Sequence, residues 1–258
     1  MSVVPAGVDV SQMDPHQAEL MAKDQCILVN RRDEPIGCSP KKECHLMTEI
    51  RAGRGLHRAF SVFLFNEEGK LLLQRRAGVK PTFPLRWTNT CCSHPLYGGA
   101  EANGVEGAKL AAIRKLEDEL GIPASQFAPA DFHYLTRIHY CALSDGMWGE
   151  HEIDYLMFVQ LKPGQQLVLQ ANPSEVEELK WVSPDELRAE FKVAEANPAH
   201  LTPWFQMIAD QLLFGWWENG KLAEVIKAGG LGQELADRVP LVLSLPGKAD
   251  TVIPEATP

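Results

Sequence analysis

The chain has 258 residues, of which 45% are hydrophobic and 23% are charged, and its net charge at pH 7 is −9. The length fits one large domain or two small ones, and the composition excludes disordered, collagen-like and coiled-coil classes. Because the chain is acidic and has no Lys/Arg-rich run, we expect no nucleic-acid partner. No apolar stretch reaches the roughly 18 residues of a transmembrane helix, so we expect no membrane association.

No targeting signal is visible in the sequence. Residues 1–25 lack the cationic start and apolar centre of a secretory signal, and four acidic residues precede the first arginine, Arg31. The six cysteines follow no regular spacing, which is typical of reduced thiols rather than of a disulfide framework. We therefore expect a cytoplasmic monomer, with plastid, mitochondrial and peroxisomal locations left open.

The pattern of apolar residues predicts an N-terminal extension over 1–25, a folded domain over 26–220 and a tail over 221–258. Strands are predicted at Cys26–Asn30, Phe60–Phe65, Lys70–Gln74, Phe132–Tyr140 and Ile153–Gln160. Helices are predicted at Glu106–Leu120, Pro184–Phe191 and Thr202–Trp217. The second and third strands are expected to pair as a hairpin around the turn Asn66–Gly69. This order indicates an α/β domain with a mixed β-sheet packed between helices.

Reactive side chains are concentrated in the segment Trp87–Pro95, which is expected to be a loop. It places Cys91 and Cys92 just before His94. A thiolate is stabilised by a nearby cation or metal ion. His94 could supply that charge directly, as the protonated imidazole, or by binding a metal ion. The alternative is a buried pair of small apolar cysteines beside a hydrogen-bonded histidine.

A second concentration lies in Gly149–Asp154, at the entry to a predicted strand. Side chains two positions apart share a face of a strand, so Glu150 and Glu152 point the same way and His151 points the other way. Two carboxylates on one face repel each other unless a proton or a metal ion lies between them. The alternative is a solvated strand edge.

Two further groups bear on ligand binding. His45 and His57 flank the predicted loop Leu46–Leu56, and imidazoles are common ligands of divalent metal ions. Lys41 precedes His45, and a basic run that includes Arg76 and Lys80 follows the hairpin strand. Arginine and lysine are the residues that a diphosphate requires, although a solvated basic turn has the same pattern.

The helix ending at Leu120 resembles the Nudix box, which reads Gly, five residues, Glu, seven residues, Arg-Glu, aliphatic, any, Glu-Glu, any, Gly, aliphatic. Six positions match: Glu106, Arg114, Leu116, Glu119, Gly121 and Ile122. Three positions depart from it, with Ala100, Lys115 and Asp118 replacing Gly, Glu and Glu. The resemblance implies the Nudix fold. The departures weaken hydrolase chemistry because they remove or alter metal-binding carboxylates.

Longer motifs resemble the type I isopentenyl-diphosphate isomerases, in the form found in eukaryotes. These motifs are Leu56–Ser61, Trp87–Pro95, Leu135–Tyr140, Trp148–Glu152 and Thr202–Phe205. The resemblance runs from about Cys26 to Trp217. It implies an enzyme of isoprenoid biosynthesis whose substrate is a small prenyl diphosphate, isopentenyl diphosphate, and whose product is dimethylallyl diphosphate.

The same resemblance implies the ligands of the site. One divalent ion, Mn²⁺, Zn²⁺ or Mg²⁺, would be held by His45, His57, His94, Glu150 and Glu152. Mg²⁺ on the substrate diphosphate would be held by Glu119 and the carbonyl oxygen of Cys92. The diphosphate itself would be contacted by Lys41, Arg76 and Lys80.

The resemblance also implies roles in the reaction. Glu152, assisted by Tyr140, would protonate the alkene, and Cys92 would remove the C2 proton. Trp181 would face the intermediate carbocation, although as a residue on a strand it is equally a core tryptophan. Two alternatives are a Nudix diphosphohydrolase, supported by the partial box, and a binding protein that has kept the fold and lost catalysis.

Overall fold

The computed structural model describes residues 13–218, 221–228 and 241–242. The strands are β1 (Gln25–Val29), β2 (Pro35–Pro40), β3 (His57–Phe65), β4 (Leu71–Arg76), β5 (Trp87–Thr88), β6 (Cys91–Ser93), β7 (His133–Leu143), β8 (Gly149–Gln160), β9 (Val176–Val182) and β10 (Leu241–Val242). The helices are α1 (Pro15–Lys23), α2 (Lys41–His45), α3 (Met47–Arg51), α4 (Gly104–Leu120), α5 (Pro184–Ala196), α6 (Pro203–Ile208), α7 (Phe214–Trp217) and α8 (Lys221–Lys227). A π-helical turn, Ala209–Leu213, joins α6 to α7. The α/β fold with a mixed sheet between helices is confirmed.

One mixed sheet organises the molecule, and its main path runs β10-β7-β8-β3-β1-β2. Strand β8 lies parallel to β3, with His57 opposite Glu152, and antiparallel to β7, with Tyr140 opposite Glu152. Strand β6 pairs antiparallel with β3, with Ser61 opposite Cys92. These registers bring the ends of four strands together, and with them the side chains that the sequence singled out.

The sheet is covered on both faces, which is why β3 is apolar along most of its length and all nine of its residues are buried. On one face, Phe63 and Phe158 pack with Phe205 and Trp217 of the C-terminal helices. The other face packs against α4, and Leu116 belongs to that cluster. Burying side chains of this size stabilises the fold by about 1.5–3 kcal/mol each.

Helix α4 begins two residues earlier than predicted and ends as predicted at Gly121, which has a φ of +66°. Its buried face is formed largely by small residues, including Ala108, Ala111 and Ala112. Leu110, on the same helix, is 37% exposed. The alanines let the helix lie close to the sheet, and the larger leucine is placed outside.

The predicted hairpin of the second and third strands is wrong beyond its turn. Strands β3 and β4 share a single pair, Phe65 with Leu71, after which β4 pairs antiparallel with β9 and β5. The place beside β3 is taken by β6 and β8 instead. The segments predicted as loops, Leu46–Leu56 and Trp87–Pro95, contain α3 and the short strands β5 and β6.

Helices on both sides of the predicted domain 26–220 have buried side chains. In residues 1–25, helix α1 is capped by Asp14 and buries Met21 against the domain. In 221–258, Leu222 and Val225 of α8 join the core, because apolar residues three apart share a helix face. The rest of the predicted tail, except 241–242, lies outside the described residues. No helix in the described part of the chain is both long and apolar enough to cross a bilayer.

Candidate functional site

Three histidines and two glutamates form a compact buried group. The group comprises His45, His57, His94, Glu150 and Glu152, and one ligand atom from each lies within 4.8 Å of all the others. The three imidazole centroids are 4.7–5.0 Å apart, and His45 Nε2 lies 2.9 Å from Glu150 Oε2. His94 Nε2 lies 2.8 Å from Glu152 Oε1. Helix α2, strand β3, the segment after β6 and strand β8 each supply part of this group.

The backbone orients two of the histidines for metal binding. His45 Nδ1 lies 2.6 Å from the carbonyl oxygen of Lys41, and His57 Nδ1 lies 2.8 Å from that of Gly55. A hydrogen bond from Nδ1–H to a carbonyl leaves Nε2 with its lone pair, which is the usual arrangement of a metal-ligating histidine. His57 Nε2 is buried without a hydrogen-bond partner among the described residues. This donor set fits a divalent metal ion.

The charges in the group depend on one another. Burial alone lowers the pKa of His57, but the charges of Cys44 and Glu152 outweigh it and raise the pKa to about 9. Burial and the neighbouring imidazoles hold the pKa of His94 well below its usual range. Burial opposes ionisation of Glu152, yet the nearby imidazole of His57, whose Nε2 lies 3.5 Å from Glu152 Oε1, lowers its pKa. Without an ion, a proton on His57 therefore offsets part of the negative charge of the two carboxylates.

Strand alternation separates the two faces as the sequence predicted. His151 points away from the group and stacks on His139, with the two Nε2 atoms 3.0 Å apart. Glu150 and Glu152 face the pocket on the opposite side of the strand. Tyr140 also faces the pocket, and its hydroxyl donates a hydrogen bond to Glu152 Oε2. Burial and the carboxylate raise the pKa of Tyr140 well above its usual value, so that the phenol keeps its proton.

Cys92 lines the same pocket. Its Sγ is 2.9 Å from Asn89 Oδ1 and 3.0 Å from Trp204 Nε1. Ser61 Oγ lies 3.5 Å from the same sulfur. Burial, with the nearby Asp154, raises the pKa of Cys92 to about 12, so the resting side chain is a thiol.

Three cations line the same pocket. Arg76 donates to the carbonyl oxygens of Thr82 and Phe83, which fixes its guanidinium group. Lys80 pairs with the buried carboxylate of Glu175, and Lys41 also faces the pocket. Burial lowers the pKa of Lys80. These groups form a cationic wall beside the histidines, which is the chemistry that an anionic ligand requires.

Glu119 lies outside the group of five metal-ligand candidates. Its Oε2 accepts a hydrogen bond from Gln74 Nε2 at 3.1 Å, and Cys91 Sγ lies 3.5 Å from the same oxygen. Its Oε1 lies 3.5 Å from Lys115 Nζ. Lys115, which departs from the Nudix box, therefore neutralises a carboxylate that the box would leave for a metal ion.

The structure contradicts the predicted position of Trp181. This residue lies on β9 opposite Leu72, and its side chain packs against the cluster beside α4, not in the pocket. The tryptophan of the pocket is Trp204, from the first turn of α6. Its ring centroid lies 6.2 Å from that of Tyr140. Sequence reasoning noted Thr202–Phe205 as a motif but gave Trp204 no role, because position along the chain does not reveal which tryptophan reaches the sheet edge.

Helix α1 closes one side of the pocket through Gln17 and Met21. Gln17 Nε2 donates to the carbonyl oxygen of Ser174 at 2.8 Å and to Glu175 Oε1 at 3.0 Å. His16 Nε2 lies 3.0 Å from the same carboxylate oxygen. The sequence gave these residues no function, because their role depends on contacts with residues more than 150 positions away.

Known proteins similar to this chain agree with this geometry. The NUDIX domain family matches residues 55–205. The protein "Isopentenyl-diphosphate Delta-isomerase 1" of Mesocricetus auratus is 49% identical over 214 residues, covering 82% of this chain and 92% of that protein. The "Isopentenyl-diphosphate delta-isomerase" of Phaffia rhodozyma is 51% identical over 217 residues, covering 83% of each. "Isopentenyl-diphosphate Delta-isomerase I, chloroplastic" of Arabidopsis thaliana is 48% identical over 223 residues, covering 85% of this chain and 75% of that protein. The chain therefore belongs to the isopentenyl-diphosphate Delta-isomerases, within the Nudix superfamily.

Proposed function

We propose that this protein interconverts isopentenyl diphosphate and dimethylallyl diphosphate in isoprenoid biosynthesis. The observation that carries the proposal is one pocket lined by Cys92, by the hydrogen-bonded Tyr140–Glu152 pair and by a cationic wall. Moving the double bond requires a proton added at C4 and another removed from C2. Two proton-transfer groups on different sides of the pocket, with a site for the diphosphate beside them, supply those steps.

The proton donor is the Tyr140–Glu152 pair. An alkene is a very weak base, so its donor must be strong and shielded from water. Both residues are buried, and the phenol proton lies in a hydrogen bond to the carboxylate. A divalent ion bound by the three histidines and two glutamates would neutralise the carboxylates and strengthen the acid. Mn²⁺, Zn²⁺ and Mg²⁺ all accept this ligand set.

The proton acceptor is Cys92, as the thiolate. Burial raises the pKa of Cys92, so its thiol must first release a proton to water, and the nearby charge of Arg76 favours the thiolate that remains. Protonation of C4 places a positive charge at C3, which makes the C2 proton acidic enough for that thiolate to remove it. The indole of Trp204, in contact with Cys92, is the aromatic face available to this carbocation, where a desolvated cation–π contact contributes about 2 kcal/mol or more.

The cationic wall orients the substrate. Lys41, Arg76 and Lys80 are proposed to hold the diphosphate, so that the prenyl group extends toward Cys92 and Trp204. Mg²⁺ on the diphosphate is assigned to Glu119 and the carbonyl oxygen of Cys92. Lys115 already balances the negative charge of Glu119. Mg²⁺ at this carboxylate would therefore add positive charge beside the diphosphate.

The alternative is a Nudix diphosphohydrolase, which the same fold supports and Lys115 and Asp118 oppose. Incubation of the purified protein with isopentenyl diphosphate and Mg²⁺, followed by ³¹P and ¹H NMR, separates the two. The isomerase yields dimethylallyl diphosphate with its diphosphate intact, and Cys92→Ser and Glu152→Gln abolish that product. Released phosphate would establish the hydrolase instead. No turnover by folded, metal-loaded protein would leave only a binding function.

We also propose a compartment and an oligomeric state for the enzyme. All six cysteines are free thiols, which supports a reducing compartment such as the cytoplasm. Two plant relatives carry the word chloroplastic in their names. We propose a monomer whose one partner is the small prenyl diphosphate, because the pocket is formed by residues of a single chain.

A further inference from the structure

Asn89 is buried at the base of the pocket in an orientation that its own bonds determine. Its Nδ2 donates to the carbonyl oxygens of Val62 and Cys91, both at 3.1 Å. Since both partners only accept hydrogen bonds, the amide nitrogen must face them. The side-chain oxygen is therefore directed toward the pocket wall.

That oxygen collects three donors. Asn89 Oδ1 lies 2.9 Å from Cys92 Sγ, 3.2 Å from Trp204 Nε1 and 3.0 Å from Thr88 Oγ1. Trp204 Nε1 is in turn 3.0 Å from Cys92 Sγ. One carbonyl oxygen thus contacts both the thiol and the indole, while they contact each other.

We propose that Asn89 is a positioning residue, whose side-chain oxygen holds the Cys92 thiol and the Trp204 indole in a fixed relation to the substrate. The inference rests on the proposed function, because Asn89 acts only through those two residues. A cysteine side chain rotates about one bond, and an acceptor within 3 Å selects one rotamer of the thiol. Once the thiol has lost its proton, the N–H of Trp204, which also donates to Asn89 Oδ1, holds the thiolate in the same place. Misplacing a reacting group by about 1 Å costs up to about 100-fold in rate.

Thr90 provides a matched control from the same segment. It is as buried as Asn89, and its Oγ1 donates to the carbonyl oxygen of Leu72 at 2.6 Å and accepts from the N–H of Leu64 at 2.9 Å. The hydrogen bonds formed by its side chain do not involve Cys92 or Trp204. Thr90→Val therefore removes buried hydrogen bonds of a purely structural kind.

The test compares Asn89→Ala and Thr90→Val with the wild-type protein, using isopentenyl diphosphate with and without deuterium at C2. For Asn89→Ala we expect kcat per folded molecule to fall about 10- to 100-fold, KM to stay within about twofold, and the C2 isotope effect on kcat to rise. Thr90→Val should lose thermal stability while keeping the wild-type kcat and isotope effect. Equal kcat and equal isotope effects in the two variants would overturn the proposal.

A second variant guards against misfolding. Asn89→Gln keeps an uncharged amide whose oxygen can still accept from the thiol and the indole, so its kcat should exceed that of Asn89→Ala. Because an isotope effect is a ratio, it is readable even when little of a variant folds. If the proposed function itself were wrong, Cys92→Ala would keep its turnover. Inactive Cys92→Ala together with fully active Asn89→Ala contradicts only the role of Asn89.

Discussion

Adjacent residues on β6 meet opposite environments. Cys91 is completely buried toward α4, where its sulfur contacts Glu119, and burial raises its pKa well above the usual value. Cys92 faces the pocket and contacts Trp204. The reason is strand alternation, which sends successive side chains to opposite faces. Two thiols that look equivalent in the sequence therefore have different surroundings, and we expect them to differ in function.

Substitution of the two cysteines should separate them. Cys91→Ala should keep kcat within a few-fold, because its side chain does not line the pocket. Cys92→Ala should lose several orders of magnitude, as expected for loss of a general base. Steady-state rates of both variants, corrected for folded protein by circular dichroism, provide the measurement. An inactive but folded Cys91→Ala would contradict the assignment.

The two tryptophans provide a comparison of the same kind. For Trp204, turnover per folded molecule should fall from Trp to Phe to Leu, with kcat affected more than KM, since the charge exists only after protonation. Trp181→Phe and Trp181→Leu, outside the pocket, should lose stability only, through cavity formation. The measurement is kcat for the four variants. Similar kcat values for Trp204→Phe and Trp204→Leu would mean that the indole only packs.

Metal affinity should depend on pH through His57. Its pKa is raised to about 9 in the ion-free protein, whereas a metal ion binds the neutral imidazole. Below pH 9 the ion must displace a proton, so affinity should fall about tenfold per pH unit toward pH 6. Equilibrium dialysis against Mn²⁺ at pH 6, 7 and 8 measures the slope. His139→Gln, outside the metal-ligand group, should show the same slope, and equal affinity at pH 6 and 8 would contradict the account.

At the scale of elements, the contact between α4 and the turn before it depends on Gly107. A Cβ at this position would lie 2.2 Å from the carbonyl oxygen of Glu101. Helix propensity favours alanine over glycine by about 1 kcal/mol, so the sequence alone predicts that Gly107→Ala stabilises the protein. The structure predicts that Gly107→Ala destabilises the protein, because the backbone of α4 and of the turn at Glu101 would have to move apart.

Thermal unfolding decides between these two expectations. Gly107→Ala should lower Tm by about 4 °C or more, which for a chain of this size corresponds to roughly 2 kcal/mol. Gly215→Ala is the matched control in α7, where a Cβ meets nothing within 4 Å, and it should keep or raise Tm. A raised Tm for Gly107→Ala would contradict the close contact between residue 107 and the turn at Glu101.

Local patterns predicted some elements and failed for others. Period-two alternation on β8 correctly placed Glu150 and Glu152 on one face, because strand geometry alone determines it. The apolar run of β4 predicted where this strand starts. It did not predict that β4 pairs with β9, because pairing between strands about 100 residues apart leaves no local signal.

For the whole molecule, the site exists because distant segments converge on one end of the sheet. The parallel pairing of β3 with β8 aligns His57 with Glu152, residues 95 positions apart in the chain. Helices from both ends of the chain complete the pocket: α1 contributes Gln17 and Met21, and α6 contributes Trp204. The candidate metal ligands could be named from resemblance to known motifs, whereas these covering residues could be identified only in the folded chain.

The central claim is that two groups on different sides of one pocket transfer different protons. It is tested most directly by incubating the metal-loaded protein with isopentenyl diphosphate in D₂O and recording the ¹H and ²H NMR spectra of the first product formed. The account predicts dimethylallyl diphosphate with one solvent deuterium in the new methyl group, because Tyr140 and Glu152 exchange with solvent while Cys92 keeps the C2 proton. Product whose methyl group carries the original C2 hydrogen would contradict it, since one group would then have moved a single proton along the same face.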